Sequence, residues 1–339
     1  MSDNSSQVAQ LPASLPQQPA KPLGLGTGVE VIRLERPGAH TDSPYRSPWA
    51  AKRANPRLAK APSSDAALAH RLVFEADVLA RLKHPGIIGY RGLLIDNSLG
   101  VATSLLMQFG GRSLMEAIEE RQEEGRGFDQ PPTQPFDSEF IVSMATQAAE
   151  ALRYLHYEQK LMHGDLKSAN LLLTDDGRLR MCDFGSALPL SGDALEAPPG
   201  AEFRGTELWA APEALRADRF GHKADMWSLG MVLYELLTLD LPHGDLFLRR
   251  AEETACRLPV SCASDRLTDE ERSIDESLDD LLSSRLGTRP PLPAWLLPSS
   301  GRCRGLTAFE RLTEIDPAVR LSAMQLLQLL AGGSNGELD

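Results

Sequence analysis

Four polar side chains in the middle of the chain have the types and the spacing that phosphoryl transfer requires. Asp165, Lys167 and Asn170 lie within one short segment, and Asp183 follows 13 residues after Asn170. A carboxylate such as Asp165 can orient an attacking hydroxyl, while the oxygens of Asn170 and Asp183 suit Mg²⁺. The Lys167 ammonium adds positive charge where the transferred phosphoryl oxygens gather negative charge. The group therefore predicts a metal-assisted phosphoryl-transfer site.

Lys52 and Glu75 could supply a further cation that holds the phosphates. Lys52 ends residues 48–52, which are similar to V-A-I-K, a strand motif whose lysine holds the α- and β-phosphates. Glu75 is followed by Leu79 four residues later and by Leu82 seven residues later, so all three share one helical face. Because that face is the buried one, the Glu75 carboxylate needs a partner, and Lys52 is the natural one. Either residue alone would fit an ordinary charge on a solvated surface.

A glycine-rich run at residues 23–31 predicts a hairpin that covers phosphates. Glycine lets backbone N–H groups approach phosphate oxygens with no Cβ in the way. The residues assigned to this role are Gly24, Gly26, Gly28 and Val31. The third glycine stands one place earlier than in the pattern G-x-G-x-x-G-x-V, since residue 29 is Val. Taken alone, the run would equally fit a flexible turn.

In order and separation, these segments resemble the motifs of protein kinases. Residues 163–170 resemble the catalytic loop H-R-D-x-x-x-x-N, with Gly164 in place of Arg, and residues 183–185 resemble D-F-G. Residues 205–213 are similar to the end of an activation segment, and residues 222–230 are similar to the helix that anchors the catalytic loop. Such an ordered set is specific, whereas a single triplet would mean little.

The resemblance implies an α+β, two-lobed protein kinase fold, with a small β-rich N-lobe that carries one main helix and a larger helical C-lobe. The predicted division is a disordered tail at 1–21, a kinase domain at 22–331 and a flexible tail at 332–339. The N-lobe is placed at 22–107, the hinge at 108–111, the C-lobe at 112–331 and an acidic insert at about 245–285. The insert is either a solvated segment or a docking surface for a basic partner segment.

Within the C-lobe, the sequence pattern is helical from residue 112 onward. It predicts one amphipathic helix over 138–159, a Gly/Pro-rich loop over 121–137, and a buried helix in the apolar run from Met226 to Leu241.

The resemblance also implies ATP and Mg²⁺ as cofactors and assigns roles to residues. The catalytic residues are Asp165, Lys167, Asn170 and Thr206, and the metal ligands are Asn170 and Asp183. The nucleotide-binding residues are Gly24, Gly26, Gly28, Val31, Lys52, Glu75 and, as gatekeeper and hinge, Met107, Gln108 and Phe109. Asp225 is expected to accept backbone hydrogen bonds from the catalytic loop, and Glu213 is expected to pair with Arg320.

Residues 23–31, 47–50, 163–168 and 286–291 look like the lymphokine-activated killer T-cell-originated protein kinase family, also called PDZ-binding kinases. That family implies a Ser/Thr or dual-specificity enzyme of MAP kinase kinase type, linked to mitosis, with protein substrates that include MAP kinases. Its N-terminal Thr-Pro site has no counterpart, since no Thr here precedes Pro. The charged terminal Asp339 disfavours a PDZ-domain partner, because PDZ grooves usually take a small apolar terminal side chain.

Two functions differ in whether the chain does chemistry. Lys167 is typical of Ser/Thr kinase loops, and Thr206 fits the hydroxyl that bridges Asp165 and Lys167 in them, so Ser/Thr phosphorylation is predicted, with Tyr as a lesser or dual activity. The alternative is a pseudokinase scaffold that binds partners without phosphoryl transfer. The irregular glycine run favours the scaffold. The presence of Lys52, Asp165, Asn170 and Asp183 favours the enzyme.

Composition fits a cytoplasmic or nuclear protein. The 339 residues leave room for a kinase domain with tails, and the net charge of −12 argues against nucleic acid and anionic membrane as general partners. The N-terminus lacks the basic-then-apolar pattern of a signal peptide. The four cysteines show neither zinc spacing nor a disulfide framework.

Gly164 carries a prediction about regulation. Most kinases have Arg at this position, and its charge pairs with an activation-loop phosphate. Residues 186–210 contain Arg204 as their only basic residue. Activity is therefore expected not to depend on phosphorylation there, with the Ser-Pro pairs at Ser43 and Ser47, or the acidic insert, as alternative places of control.

Overall fold

The computed structural model describes residues 22–26, 29–40, 43–54, 62–96, 100–124, 135–244, 284–296 and 303–332. The described residues belong to two compact units. The first contains those up to Ser113 together with Leu171–Ala187, and the second contains Leu114–Asn170 and those from Leu188 onward. The first is built on sheets and the second is mainly helical, so the predicted α+β class is confirmed.

The main sheet of the first unit has five antiparallel strands in the order β1-β2-β3-β5-β4. Their bounds are β1 Pro22–Gly26, β2 Val29–His40, β3 Ser43–Ala54, β4 Tyr90–Asp96 and β5 Val101–Gln108. Along β2, Ile32 and Leu34 are buried while Arg33 and Glu35 are exposed, which is the period-two alternation of a half-buried strand. These two side chains form one core cluster with Ala51, Leu94 and Leu106.

Helix α1, Pro62–Arg81, packs against this sheet through one face. Leu68, Leu72, Glu75 and Leu79 are buried, at the three- and four-residue spacing of one helical stripe. The first unit also contains a small sheet in the order β6-β8-β9, formed by Arg112–Ser113, Leu171–Leu173 and Leu179–Met181. Because β8 pairs with β6, the chain segment that leads to Asp183 belongs to this unit.

The second unit has helices α2 Leu114–Glu124, α3 Ser138–Arg153, α4 Pro212–Leu215, α5 His222–Thr238, α6 Arg304–Leu312 and α7 Ala323–Ala331. A two-stranded sheet pairs β7, Leu161–Met162, with β10, Leu188–Pro189. Side chains cap the N-termini of α3 and α7. Asp137 accepts a hydrogen bond from the Phe140 backbone N–H, and Ser322 forms a capping box with Gln325.

Helix α5 is the core element of the second unit and is buried along nearly its whole length. It packs against α3 and α6, and Gly230 is needed there because an added Cβ would lie 2.7 Å from the Thr313 side chain. The predicted buried helix between Met226 and Leu241 is therefore present. None of the described helices is both long enough and apolar enough to span a bilayer.

Three expectations about the C-lobe differ from the structure. The helix predicted over 138–159 is α3 up to Arg153 followed by a π-helical turn, Tyr154–Glu158. The loop predicted from 121 begins later, because α2 continues to Glu124 through good helix formers. Strands β6 to β10 lie in the region predicted as helical, since two or three residues are too few to show a period. The predicted tails apart from Gly332, together with Gly28 and most of the acidic insert, lie outside the described residues.

Candidate active site

The first unit brings together three charged residues from separate elements. Lys52 on β3 donates a hydrogen bond from Nζ to Glu75 Oε2 on α1 at 2.8 Å, and a second one to Asp183 Oδ1 at 2.7 Å. The Lys52 and Glu75 side chains are 11% and 2% exposed, whereas that of Asp183 is 40% exposed. Asp183 has φ +62°, a left-handed backbone conformation that non-glycine residues adopt mainly at special sites.

The electrostatics of this cluster favour charged side chains. Burial alone would lower the pKa of Lys52, but the carboxylates of Glu75 and Asp183 outweigh it and raise that pKa above the ordinary value. Burial raises the pKa of Glu75, and the neighbouring ammonium opposes that rise. A raised pKa for Lys52 implies a charged partner, whereas a raised pKa for Glu75 favours its neutral form. The 2.8 Å contact decides for the ion pair at neutral pH, because a neutral Glu75 would give up its attraction to an ammonium that the cluster keeps charged.

The predicted gatekeeper and hinge residues lie at and just after the end of β5. Met107 is a core residue with 5% exposure. The backbone N–H of Gln108 donates to Gly89 O at 2.7 Å, and that of Phe109 donates to Pro48 O at 3.4 Å. The Phe109 ring also lies under the Arg33 guanidinium, 4.7 Å from its centroid.

The glycine-rich run is described only in part. Gly24 pairs with Val31, and Gly26 pairs with Val29, across β1 and β2. Val31 in turn pairs with Lys52 across β2 and β3, so the backbone of the glycine hairpin is registered against the lysine strand. Gly28 lies outside the described residues, and its assignment stays a prediction.

The second unit places Asp165, Lys167, Asn170 and Thr206 in one hydrogen-bonded network. Thr206 donates to Asp165 Oδ1 twice, from its hydroxyl at 2.7 Å and from its backbone N–H at 2.8 Å. Lys167 Nζ donates to Thr206 Oγ1 at 2.7 Å and lies 3.1 Å from Asp165 Oδ2. The Asn170 amide donates to Asp165 O at 2.7 Å. This arrangement fixes one carboxylate beside one ammonium, as the sequence-based roles require, and the roles themselves stay predictions.

Asp225 anchors the catalytic loop through backbone hydrogen bonds, as predicted. Its carboxylate accepts the backbone N–H groups of His163 at 2.8 Å and Gly164 at 3.0 Å. It also lies 2.8 Å from His156 Nε2, a buried partner that the sequence did not indicate. Burial alone would raise the pKa of Asp225, but the hydrogen bonds from His156 and the Gly164 backbone, with the electrostatic influence of the two nearby imidazoles, hold that pKa below its ordinary value. The loop is thus anchored by a charged, fully buried acceptor.

Glu235 is a second anchor, one that no sequence motif indicated. This fully buried carboxylate on α5 accepts from Ser168 Oγ at 2.7 Å and from Trp209 Nε1 at 2.8 Å. It therefore ties the catalytic loop and the end of the activation segment to one helix. Burial raises its pKa to about 7, although both hydrogen bonds favour the ionised form. An isolated Glu in an otherwise apolar run was the available signal.

The expected Glu213–Arg320 pair is confirmed. Arg320 Nη1 and Nη2 donate to the two Glu213 oxygens at 2.6 and 3.0 Å, in the bidentate geometry of a guanidinium and a carboxylate. Arg320 is fully buried and also donates to the backbone oxygens of Glu314 and Lys223. The pair fixes α4 at the end of the activation segment, which makes it structural.

The donor chemistry of the two predicted metal ligands suits a hard divalent cation. The Asn170 Nδ2 group is turned toward Asp165, so the amide oxygen is the remaining donor atom of that side chain. Asp183 offers a half-exposed carboxylate. In the described part of the chain, no group of three or more His, Cys, Asp or Glu side chains could hold a metal. A cation bound mainly by phosphate and water oxygens needs only one or two protein ligands, so the chemistry of Asn170 in the second unit and that of Asp183 in the first each fit Mg²⁺.

Comparison with known proteins adds a family relationship to this geometry. Residues 23–329 match the protein kinase domain family. The chain is 34% identical over 321 residues to the lymphokine-activated killer T-cell-originated protein kinase of Homo sapiens, which covers 92% of this chain and 90% of that protein. It is 33% identical over 174 residues to mitogen-activated protein kinase kinase kinase 12 of Rattus norvegicus, covering 51% of this chain and 18% of that protein. A serine/threonine-protein kinase of Caenorhabditis elegans is 29% identical over 237 residues, covering 69% and 22%.

Proposed function

We infer that this chain, which belongs to the protein kinase family, transfers the γ-phosphoryl group of ATP to Ser and Thr side chains of proteins. The observation that carries the proposal is the network in which the Thr206 hydroxyl bridges Asp165 and Lys167. The acceptor hydroxyl is proposed to bind within hydrogen-bond distance of the Asp165 carboxylate, which the Thr206 hydroxyl holds in place. The Ser/Thr specificity is supported by the same Thr206 bridge.

Each residue of the network has a separate task in the proposed reaction. Asp165 orients the acceptor hydroxyl and accepts its hydrogen bond, because Thr206 and Asn170 hold the carboxylate and its backbone in place. Lys167 places a positive charge beside that carboxylate, where negative charge gathers on the transferred group. In the first unit, Lys52 holds the phosphates in line, with Glu75 fixing the ammonium.

The kinase domain implies ATP and a divalent metal, and we propose Mg²⁺ with Asn170 and Asp183 as its protein ligands. When bound, Mg²⁺ supplies positive charge to the phosphate oxygens. The adenine is proposed to bind along Met107, Gln108 and Phe109, and the phosphates along Gly24, Gly26, Gly28 and Val31. Since Lys52 already bridges Glu75 and Asp183, the first unit keeps the cation-binding carboxylate in position without a ligand.

Finer aspects of the function are proposed on the resemblance alone. Relatives bear the names of a lymphokine-activated killer T-cell-originated protein kinase and of mitogen-activated protein kinase kinase kinases, which supports substrates within a MAP kinase cascade. We further propose dual specificity with Tyr as the lesser acceptor, a role in mitosis, and a cytoplasmic or nuclear location. No PDZ-domain, nucleic-acid or membrane partner is proposed.

A phosphoryl-transfer assay separates the enzyme from the pseudokinase scaffold. The full chain is incubated with labelled ATP, Mg²⁺ and a degenerate peptide library that contains Ser, Thr and Tyr, and the phosphoamino acids are identified. We expect phosphoserine and phosphothreonine to dominate, and Asp165→Asn to abolish the label. Asp175→Asn, an exposed carboxylate in the β8–β9 turn, serves as the matched control and should retain activity. Absence of transfer by the wild type would favour the scaffold, and phosphotyrosine alone would overturn the Ser/Thr assignment.

A further inference from the structure

A pocket of about 390 Å³ lies within the first unit, and the Lys52, Glu75 and Asp183 side chains do not line it. Its walls are the last turn of α1, the loop between α1 and β4, the start of β4, the end of β5 and the β8–β9 hairpin. Because all of these elements belong to one unit, the pocket is a property of that unit alone. Of the residues assigned to the proposed kinase reaction, Gln108 is the one described residue that also lines this pocket, and the other lining residues have no role in that reaction.

The lining of this pocket is strongly basic. Lys83, Arg91, Arg178 and Arg180 contribute four cations, and none of the described residues that line the pocket is acidic. Arg178 and Arg180 are two residues apart on the β8–β9 hairpin, the spacing that places side chains on one face of a strand. Arg91 lies beside Gly89, since an added Cβ at Gly89 would be 2.9 Å from Arg91 Nη1.

Neighbouring carboxylates neutralise this charge only in part. Asp176 Oδ2 lies 2.9 Å from Arg178 Nε, outside the pocket lining, and uses one of the five N–H donors of that guanidinium. Asp77 on α1 is close enough to help burial raise the pKa of Tyr90, so the Tyr90 phenol keeps its proton and remains a donor at neutral pH. The pocket therefore presents several hydrogen-bond donors with net positive charge.

Apolar side chains form the remainder of the wall. Ala80 and Pro85 are exposed apolar residues that line the pocket. A ligand that offers only charge would leave this surface uncovered, whereas a peptide can place an apolar side chain there beside its carboxylates. The loop that carries Ile87 is hydrogen-bonded to β9, with Ile88 N donating to Met181 O at 2.9 Å. An occupant would therefore contact a loop that is bonded to the strand leading to Asp183.

We propose that this basic pocket is a docking site for a short acidic segment of a partner protein. Carboxylates of the segment pair with Arg91, Arg178 and Arg180, and an adjoining apolar side chain packs on Ala80 and Pro85. A long polyanion fits less well, because the net charge of the whole chain is −12 and would repel the parts that extend beyond the pocket. The site thus recognises a compact acidic motif.

Fluorescence anisotropy with the full chain tests this docking site. The probe is a short fluorescein-labelled peptide of Asp, Glu and one Leu, and a peptide with Asn and Gln in place of the acids is the control. We expect the acidic peptide alone to bind, with an affinity that salt weakens. Arg91→Glu and the double variant Arg178→Glu/Arg180→Glu should each lower the affinity by about tenfold or more. Arg71→Glu reverses an exposed charge on α1 outside the pocket and should leave the affinity unchanged.

Circular dichroism and thermal unfolding check that each variant folds, and Gln variants at the same positions replace any reversal that does not fold. Equal binding of the acidic and amide peptides, or an equal loss in Arg71→Glu, would overturn the proposal. Single-stranded RNA and phosphatidylserine vesicles are assayed beside the peptide. If RNA or vesicles bound more tightly than the acidic peptide, and the pocket variants lost that binding, the occupant of the pocket would be that ligand and not an acidic protein segment.

Discussion

Lys52 illustrates how one buried charge serves two neighbours. Its Nζ lies 2.8 Å from Glu75 Oε2 and 2.7 Å from Asp183 Oδ1, so one ammonium pairs with both carboxylates. Lys52 is therefore proposed to align phosphates in the reaction. It also offsets the cost of burying the Glu75 carboxylate. Substitutions at the two ends of this pair should differ, because removal of the ammonium leaves two carboxylates together, whereas removal of the Glu75 charge leaves Lys52 paired with Asp183.

We expect Lys52→Met to lower turnover by about a hundredfold or more, since the phosphates lose their aligning contact. Glu75→Gln should lower it less, because Lys52 keeps its contact with Asp183. Lys160→Met, at an exposed position in the second unit, is the matched control. Steady-state kinetics with a Ser-containing peptide measures all three, and near wild-type turnover in Lys52→Met would show that another residue holds the phosphates.

Glu235 predicts a pH dependence of stability at the residue scale. Its pKa is raised by burial to about 7 in the folded protein, against 4.5 ordinarily. The folded state thus binds the proton more tightly than the unfolded state, so this carboxyl makes the free energy of unfolding fall as pH rises from 4.5 to 7. The shift corresponds to about 3 kcal/mol across that window.

Glu235→Gln removes this titration. The stability of the variant relative to the wild type should therefore increase between pH 4.5 and 7 and stay constant above that window. Denaturant unfolding at a series of pH values measures the difference, with Glu139→Gln, an exposed substitution on α3, as the control. A difference that does not change with pH would mean that Glu235 is ionised throughout.

At the scale of elements, the activation segment is held by backbone bonds within the second unit. Strand β10 pairs with β7, Ser191 and Glu196 exchange both of their backbone hydrogen bonds, and Ala197 N donates to Phe220 O at 2.9 Å. His222 N donates to Leu195 O at 3.1 Å. Gly164, at φ +79°, offers no side chain to a phosphate. These contacts position the segment without added charge.

Activity should therefore not depend on phosphorylation of this segment. Phosphatase treatment and the double variant Ser186→Ala/Ser191→Ala are expected to leave turnover unchanged. The reason is that Gly164 stands where an Arg side chain would pair with a phosphate. Mass spectrometry maps the sites before and after treatment, and kinetics measures the effect. A loss of activity traced to Ser186 or Ser191 would contradict the expectation. It would also remove the reason to look for regulation at Ser43 and Ser47 instead.

Across the whole molecule, local sequence pattern predicted residues whose neighbours are close along the chain, whereas a distant pair such as Glu213 and Arg320 was predicted only through the resemblance to kinases. The Asp165–Asn170 segment and the burial of Glu75 follow from short spacings and helical periodicity. Glu235 was missed as an anchor because its partners Ser168 and Trp209 are 67 and 26 residues away. The basic pocket was missed for the same reason, since Arg91 and Arg180 belong to different sheets and line one pocket only in the folded unit. Tertiary contact, rather than local pattern, creates both features.

The whole chain should gain stability when Mg²⁺ and ATP bind, since a ligand that binds only the folded state raises the unfolding temperature. At a hundredfold excess over Kd, the gain is about 2.7 kcal/mol, or about 5 °C for a domain of this size. Differential scanning fluorimetry with ATP, with and without Mg²⁺, separates the metal-dependent part. Asp183→Asn should lose that part, because its amide is a weaker ligand than a carboxylate, while Asp175→Asn should keep it. An equal Mg²⁺-dependent shift in Asp183→Asn would mean that Asp183 does not bind the metal, and no shift in the wild type would remove ATP as the cofactor.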